Sequence, residues 1–474
     1  MAAQWGEITA HELVLTMDGR QISGLPNVPL GGISTDSRTI GPGEIFFALK
    51  GERYDGHDFL TDVVKAGGAG VIVEHGAAVP EQLATDGLVV ITVASTLDAL
   101  GDLARWWRKQ WARKVVAITG SNGKSTTKEM TASILAREAN TKKSPGSFNN
   151  LVGLPLTILS LEESHEMAVL EMGMNRPGEI ARLTQIADPD IGLITNVATA
   201  HLEGLGDIHG VIEAKGELLR EMSDNSTAVL NGDDEFFSEL ASKARGPIVT
   251  FGLGKTNQIR GENIKKLSHG AQAFDIRLNS EQVAVSLELP GTHNVYNALA
   301  AAAVASCLSL SKQVIASGLK GFIPLGGRFQ VTELKGDIRI IDDTYNANPS
   351  SLGAALQTVE ELRANKQGLV VALGEMLELG RETSQYHVDA GKLVASAGAR
   401  YLVALGEHGA HIIEGARRAG MKRDQTYLAS SHAEMIDALR ANVREHDIVL
   451  LKGSRKVSLD KVVEAMKEFF RRDE

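Results

Sequence analysis

The sequence predicts an α/β protein of three domains: a small mixed α/β unit over 1–95, a central parallel sheet with added β structure over 96–328, and a doubly wound unit over 329–474. Three observations predict it. The chain has 474 residues, more than one core of ordinary size holds, and the length alone suggests about three domains. Four short apolar runs near the carboxyl end, "IRIID" (338–342), "GLVVALG" (368–374), "YLVALG" (401–406) and "DIVLLKG" (447–453), are separated by helix-length segments. That alternation builds a doubly wound parallel sheet. Finally, "VVAIT" (115–119) enters a loop of small residues and then a helix-forming run, the strand–loop–helix order of a phosphate-binding unit.

Residues 1–95 mix strand-like runs, "EIFFALKG" (44–51), "AGVIVE" (69–74) and "LVVITV" (88–93), with many glycines. A helical stretch over 95–114 leads into "VVAIT". In the central segment "MAVLEMG" (167–173) and "DIGLITNVA" (190–198) are almost continuously apolar, as expected of parallel strands buried on both faces. Residues 227–290 are richer in β patterns and suggest a smaller sheet added to the first. The Ala-rich run "ALAAAAVASCLSL" (298–310) falls short of the roughly 20 residues that cross a bilayer and reads as a buried helix. The last segment is Rossmann-like. Its ligand side lies at the carboxyl ends of the strands, where "DDTYNANP", "GEMLELG" and "KGSR" all fall.

A net charge of -10 argues against a broad nucleic-acid surface. One cysteine, Cys307, leaves no internal disulfide and points to a reducing compartment. The amino terminus "MAAQWGEITAHELV" carries acidic residues and no apolar core, so no secretory signal is expected. The expectation is a cytoplasmic protein with no membrane span.

In the loop "TGSNGKST", Gly123, Lys124 and Ser125 supply the end of a phosphate-binding motif, but Ile118 stands where its first glycine belongs. The context is otherwise that of a P-loop ATPase-like sheet. Backbone N–H groups of Gly120, Ser121, Asn122, Gly123 and Thr126 at the helix start would face an anion. Lys124 would neutralise phosphate, and the Ser125 hydroxyl could join a magnesium shell. The plainer alternative is a glycine-rich turn with a solvated lysine. Glu171 and His201 end or follow apolar strand signals and should emerge beside this loop. By spacing alone Lys215 is an exposed helical lysine, and Asn294 is a reasonable cap for the Ala-rich helix. Arg328, in a Gly-Gly-Arg turn at the predicted hinge, offers a forked cation to phosphate. Ser34, Thr35, Asp36, Ser37 and Arg38 form a short polar loop that pattern alone would also allow as an ordinary turn.

Taken in order, "STDSRTIGPGEIFFALKGERYDGHDFL", "TGSNGKSTTKEM", "SFNNLVGLPLTIL", "LEMGMNRPGEI", "TNVATAHLEGLGDIHGVIEAKGEL", "GTHNVYNALAA", "GGRFQ" and "IDDTYNANPSSLGAALQ" resemble the Mur ligase family of peptidoglycan synthesis over nearly the full chain. That family's loop lacks the early glycine, and Ser125 stands where relatives commonly have threonine. The resemblance implies ATP-dependent amide formation through an acyl phosphate. It favours D-alanyl-D-alanine joined to a UDP-N-acetylmuramoyl tripeptide, since the segment lacks the "DNPR" pattern of the diaminopimelate-adding branch. It also implies magnesium bound by Ser125, Glu171, His201 and a carbamylated Lys215, with Lys124, Glu171, His201 and Lys215 catalytic. Asn294, Asp343, Asn346 and Asn348 would join the loop and Arg328 around ATP. Ser34 to Arg38, Lys50, Asn149 and Asn150 would hold the UDP substrate in the first domain and beside it, while Lys452, Ser454, Arg455 and "GEMLELG" would meet the dipeptide. A monomer is expected. Another amide ligase of the superfamily, an inactive nucleotide-binding regulator and a phosphoryl-transfer kinase are the alternatives; the last lacks any kinase catalytic-loop pattern.

Overall fold

Short β-branched runs become the strands of three sheets in the computed structural model, which describes residues 5–471 other than 52, 82, 84–86, 268, 269 and 364–366. The first sheet holds β1 (Arg20–Ser23), β2 (Gly32–Ser34), β3 (Glu44–Phe47), β4 (Gly70–Glu74) and β5 (Val89–Val93), in the order β1-β5-β4-β3-β2. Only the β1–β5 pair is antiparallel.

The central sheet follows. It comprises β6 (Lys114–Thr119), β7 (Thr141–Lys143), β8 (Met167–Glu171), β9 (Ile191–Ile194), β10 (Thr227–Asn231), β11 (Ile248–Gly252), β12 (Ile259–Lys266), β13 (Gln272–Leu278) and β14 (Glu281–Leu287). Their order is β14-β13-β12-β11-β10-β9-β6-β8-β7. After β6 the chain builds β7 and β8 on one side, then β9 and β10 on the other. The loop leaving β6 therefore opens at a topological switch point, where α/β sheets bind ligands. Register pairs Ile118 with Glu171 on one side and Leu193 on the other. The β structure added after β11 is an antiparallel β12–β13–β14 meander.

The third sheet runs β15 (Gln330–Glu333), β16 (Arg339–Asp343), β20 (Ile448–Lys452), β17 (Leu369–Gly374), β18 (Ala399–Leu405), β19 (Thr426–Ala429). It is parallel except for edge strand β15. Insertion of β20 between β16 and β17 pairs Lys452 with Asp343 and with Leu373. The three polar clusters that follow these strands thus lie side by side.

The Ala-rich run is a buried helix, Thr292–Cys307, packed on the phosphate-loop helix Lys124–Leu135. Helix Thr96–Trp111 joins two domains. One apolar cluster runs from Phe47 and Ile91 through Leu100, Leu103 and Trp107 to Leu170 of the central sheet, and Trp5 stacks on Trp107 at 4.8 Å. Among the described residues no helix is long and apolar enough to cross a membrane.

In the third domain, helices Thr383–Ser396 and Gly409–Arg418 meet backbone to backbone, because a Cβ on Gly391 would lie 1.9 Å from the Ile412 carbonyl oxygen and one on Gly415 1.8 Å from that of Val388. Gly391→Ala is expected to force these helices apart and to destabilise the domain by roughly 1–3 kcal/mol. A thermal melt checks this, and an unchanged midpoint would contradict it.

Candidate active site

A cleft of about 900 Å³ lies where the carboxyl ends of the second and third sheets face each other. Its floor is the loop after β6. Gly120 and Gly123 have positive φ, +146° and +81°, and a Cβ on either would collide with Thr195 Oγ1 or Asn297 Oδ1; only glycine fits. The loop does not stand alone. Ser121 N–H donates to the Asn196 carbonyl (2.9 Å), Asn122 N–H to Asn196 Oδ1 (3.0 Å) and Thr195 Oγ1 to the Asn122 carbonyl (2.6 Å). The start of the helix consequently points its free N–H groups into the cleft, ready for an anion.

Cations gather around it. Lys124 Nζ donates to the Gly120 carbonyl at 2.7 Å; burial pushes its ammonium below the usual value, against the opposing pull of Glu171. Arg328 Nη2 donates to Ser125 Oγ at 2.8 Å, and its guanidinium lies 3.8 Å from the Tyr345 ring centroid. Beneath the loop, fully buried Lys128 donates to the Ser144 and Gly146 carbonyls at 2.8 Å and stands 3.7 Å from Glu171 Oε2. It ties down the segment carrying Asn149, whose Nδ2 donates to Glu171 Oε1 at 2.9 Å. Glu171 is itself buried, and its Oε2 has no hydrogen-bond partner among the described residues. The Lys128 ammonium, too far away for a hydrogen bond, offsets part of that oxygen's desolvation, and a closer cation would offset more.

From the third domain, Asp343 accepts from Lys452 Nζ (2.6 Å) and from Phe329 N–H (3.2 Å). Asn348 caps helix Pro349–Leu362, and its Nδ2 also reaches Asn122 Oδ1 across the domains at 2.9 Å. Asn346, Ser454 and Arg455 line the same cleft, as does Asn150, which receives the Gly153 N–H at 2.8 Å. Ser454 Oγ accepts from Leu377 N–H at 2.9 Å, joining the loop after β20 to that after β17.

His201 follows β9 in a left-handed conformation (φ +58°), with Nδ1 2.7 Å from Glu378 Oε2. Burial lowers its pKa, Lys124 and Lys215 press the same way, and Glu378 opposes them. Lys215 is not the exposed lysine that spacing suggests. It sits on helix Ile208–Glu221, 1% exposed, and its Nζ makes no hydrogen bond or ion pair among the described residues. Burial, then Lys124, hold its ammonium well below the ordinary range.

One other expectation changes. Asn294 is not the cap of its helix: Gly291 is, at φ +91°, and Asn294 lies buried in the first turn, donating to the Pro290 carbonyl at 2.7 Å. It still borders the cleft. The loop Ser34–Arg38 and Lys50, expected at the UDP substrate in the first domain, lie outside this cleft. Within the loop Arg38 grips the Asp36 carboxylate at 2.6 and 2.8 Å and lowers its pKa to about 2, while Ser34 Oγ accepts from Asp36 N–H. Glu378, Tyr345 and His293 line the cleft without having been singled out; each sits within or beside a polar cluster that follows a strand or opens a helix.

Residues 29–108, 118–305 and 327–455 match, in order, families described as Mur ligase family, catalytic domain; Mur ligase middle domain; and Mur ligase, glutamate ligase domain. The UDP-N-acetylmuramoyl-tripeptide–D-alanyl-D-alanine ligase of Escherichia coli (strain K12) is 36% identical over 465 residues, 97% of this chain and 98% of that one. Its namesake from Bacillus subtilis (strain 168) is 33% identical, covering 92% and 93%. Among solved structures, MurF from Acinetobacter baumannii superimposes with a TM-score of 0.88 at 33% identity, covering 97% of this chain and 98% of that one. MurF from Thermotoga maritima in complex with ADP gives 0.79 at 28% identity, covering 92% and 97%.

His387 supports the loop after β17: its Nδ1 meets the Thr383 carbonyl at 2.7 Å, and its Nε2 accepts the Met376 N–H at 2.9 Å. Burial pushes its pKa from 6.5 to about 4. The unfolded chain therefore takes up this proton first as pH falls, so the stability linked to His387 is full above about 6.5 and is lost progressively down to about 4. His387→Gln is expected to lose less stability between pH 7 and pH 4.5 than the parent in denaturant titrations. Equal losses would contradict this.

Proposed function

The chain belongs to the Mur ligase family, and from that premise we infer an ATP-dependent, ADP-forming ligase that joins D-alanyl-D-alanine to a UDP-N-acetylmuramoyl tripeptide, yielding the pentapeptide precursor of peptidoglycan. The observation that carries this inference is the match of all three domains to relatives of that one activity. The cleft supplies a physical reason. A carboxylate is a poor acyl donor, and bringing it to a triphosphate sets anion against anion. Preorganised positive charge is what such a reaction needs.

In our scheme the terminal carboxylate oxygen of the tripeptide bonds to the γ-phosphorus of ATP as the bond to the ADP oxygen breaks. The amine nitrogen of the dipeptide then bonds to the acyl carbon, inorganic phosphate leaves with its bridging oxygen, and the ammonium proton passes to solvent. The loop Gly120–Thr126 cradles the phosphates, and Lys124 and Arg328 offset their charge. Asp343, Asn346, Asn348 and Asn294 hold the nucleoside side between domains. Asn149, Asn150 and, farther off, Ser34–Arg38 and Lys50 serve the UDP substrate; Lys452, Ser454 and Arg455 serve the dipeptide. Enclosure between domains keeps water from the acyl phosphate.

The Glu171 oxygen that accepts no hydrogen bond, in the cleft that Ser125 and His201 also line, suits a magnesium ion; no three His, Cys, Asp or Glu side chains form a metal cluster among the described residues, so a hydroxyl and a modified lysine would complete the set. Magnesium would supply charge neutralisation at the phosphates. A Lys215 ammonium cannot ligate a cation, whereas a carbamate offers an anionic oxygen, and burial favours the neutral amine from which a carbamate forms. We place the enzyme in the cytoplasm as a monomer.

The direct test incubates the protein with ATP, the tripeptide substrate and either D-alanyl-D-alanine or single amino acids. Product mass should rise by one dipeptide; capture of a single amino acid instead would overturn the assignment. Lys215→Ala is expected to abolish ligation and to remove a carbamate carbon resonance that the parent shows with ¹³C-bicarbonate. Parental turnover in the variant would exclude the role.

A further inference from the structure

Glu378 belongs to the third domain and His201 to the central one, yet among the described residues they make the shortest side-chain hydrogen bond between the two, 2.7 Å. Both hold a conformation that non-glycine residues rarely adopt, φ +64° and +58°. Such strain persists only where surrounding structure enforces it. The enforcement is visible on each side. Leu377 N–H is held by Ser454 Oγ and Met376 N–H by His387 Nε2, so the loop carrying Glu378 is fixed to its own domain. A second bond crosses the interface, from Glu203 N–H to the Glu378 carbonyl at 3.2 Å, and Gly380 sits tightly against Leu202 and Glu203.

A carboxylate can only accept a hydrogen bond. The proton of neutral His201 therefore resides on Nδ1, and Nε2 keeps its lone pair for the cleft. We propose that Glu378 is a positioning residue through which docking of the third domain fixes the tautomer and ring orientation of His201. The chain would then ready His201 for a cation or substrate only when both halves of the cleft are together. The significance for ligation rests on the function proposed above; the contact and its tautomer do not.

The test measures the ¹⁵N shifts of the His201 ring in metal-free protein at pH 8, assigned by loss of the signals in His201→Ala. The parent should show protonated Nδ1 and bare Nε2. Glu378→Gln, which retains an acceptor, should keep that pattern, whereas Glu378→Ala should shift toward a tautomer mixture. Magnesium-dependent ligation gives the second reading: the ion concentration for half-maximal rate should rise about 10–100-fold in Glu378→Ala and change far less in Glu378→Gln. The parental tautomer surviving in Glu378→Ala would overturn the proposal, whatever the protein ligates. Absence of ligation in the parent, with the tautomer result as expected, would strike the function alone.

Discussion

Asn122 ties the phosphate loop to both halves of the cleft. Its carbonyl and N–H are taken by Thr195 and Asn196 of the central domain, and its side-chain oxygen by Asn348 of the third. A glycine-flanked loop with no hydrophobic anchor would otherwise sample many shapes, and ordering each residue costs about 1–2 kcal/mol. Held from both sides, its N–H groups converge on one place. That place is also where β8 delivers Glu171, β9 leads to His201, and β16, β17 and β20 present their polar ends.

Electrostatics follow from this convergence. Lys128 and Lys215 are almost wholly buried and Lys124 is half-buried, while one oxygen of the buried Glu171 carboxylate accepts no hydrogen bond among the described residues and has only the distant Lys128 ammonium, at 3.7 Å, beside it. A core selected for stability alone would hold apolar groups there, since buried charges offset their desolvation only with good pairing. Imbalance of this kind is characteristic of sites that meet charged ligands. The uneven treatment of two lysines is telling. Lys128 receives two carbonyls and reads as a structural cation, whereas Lys215 receives no partner among the described residues and is pushed toward its neutral form.

Much of the fold was legible because strands buried on both faces leave continuous apolar runs, as at Ala168–Leu170 and Val370–Leu373. Strands without that signature were missed. The outer half of β12 is exposed and charged, and β7, β15 and β19 are edge strands of three or four residues. Much of the cleft was legible too, since parallel strands put their following residues on one side. Lys215 needed the family resemblance: nothing in helical spacing tells a buried lysine from an exposed one. Asn294 misled because the turn is closed by a glycine with positive φ, which no side-chain cap announces. Glu378 stayed hidden within its segment because its partner lies 177 residues away in sequence.

In the proposed reaction the cleft lets ATP convert an inert acid into a mixed anhydride that an amine captures. Tripeptide labelled with ¹⁸O in its terminal carboxylate tests it most directly. The inorganic phosphate released during ligation should carry one ¹⁸O atom per turnover. Unlabelled phosphate, with full yield of amide, would contradict the claim.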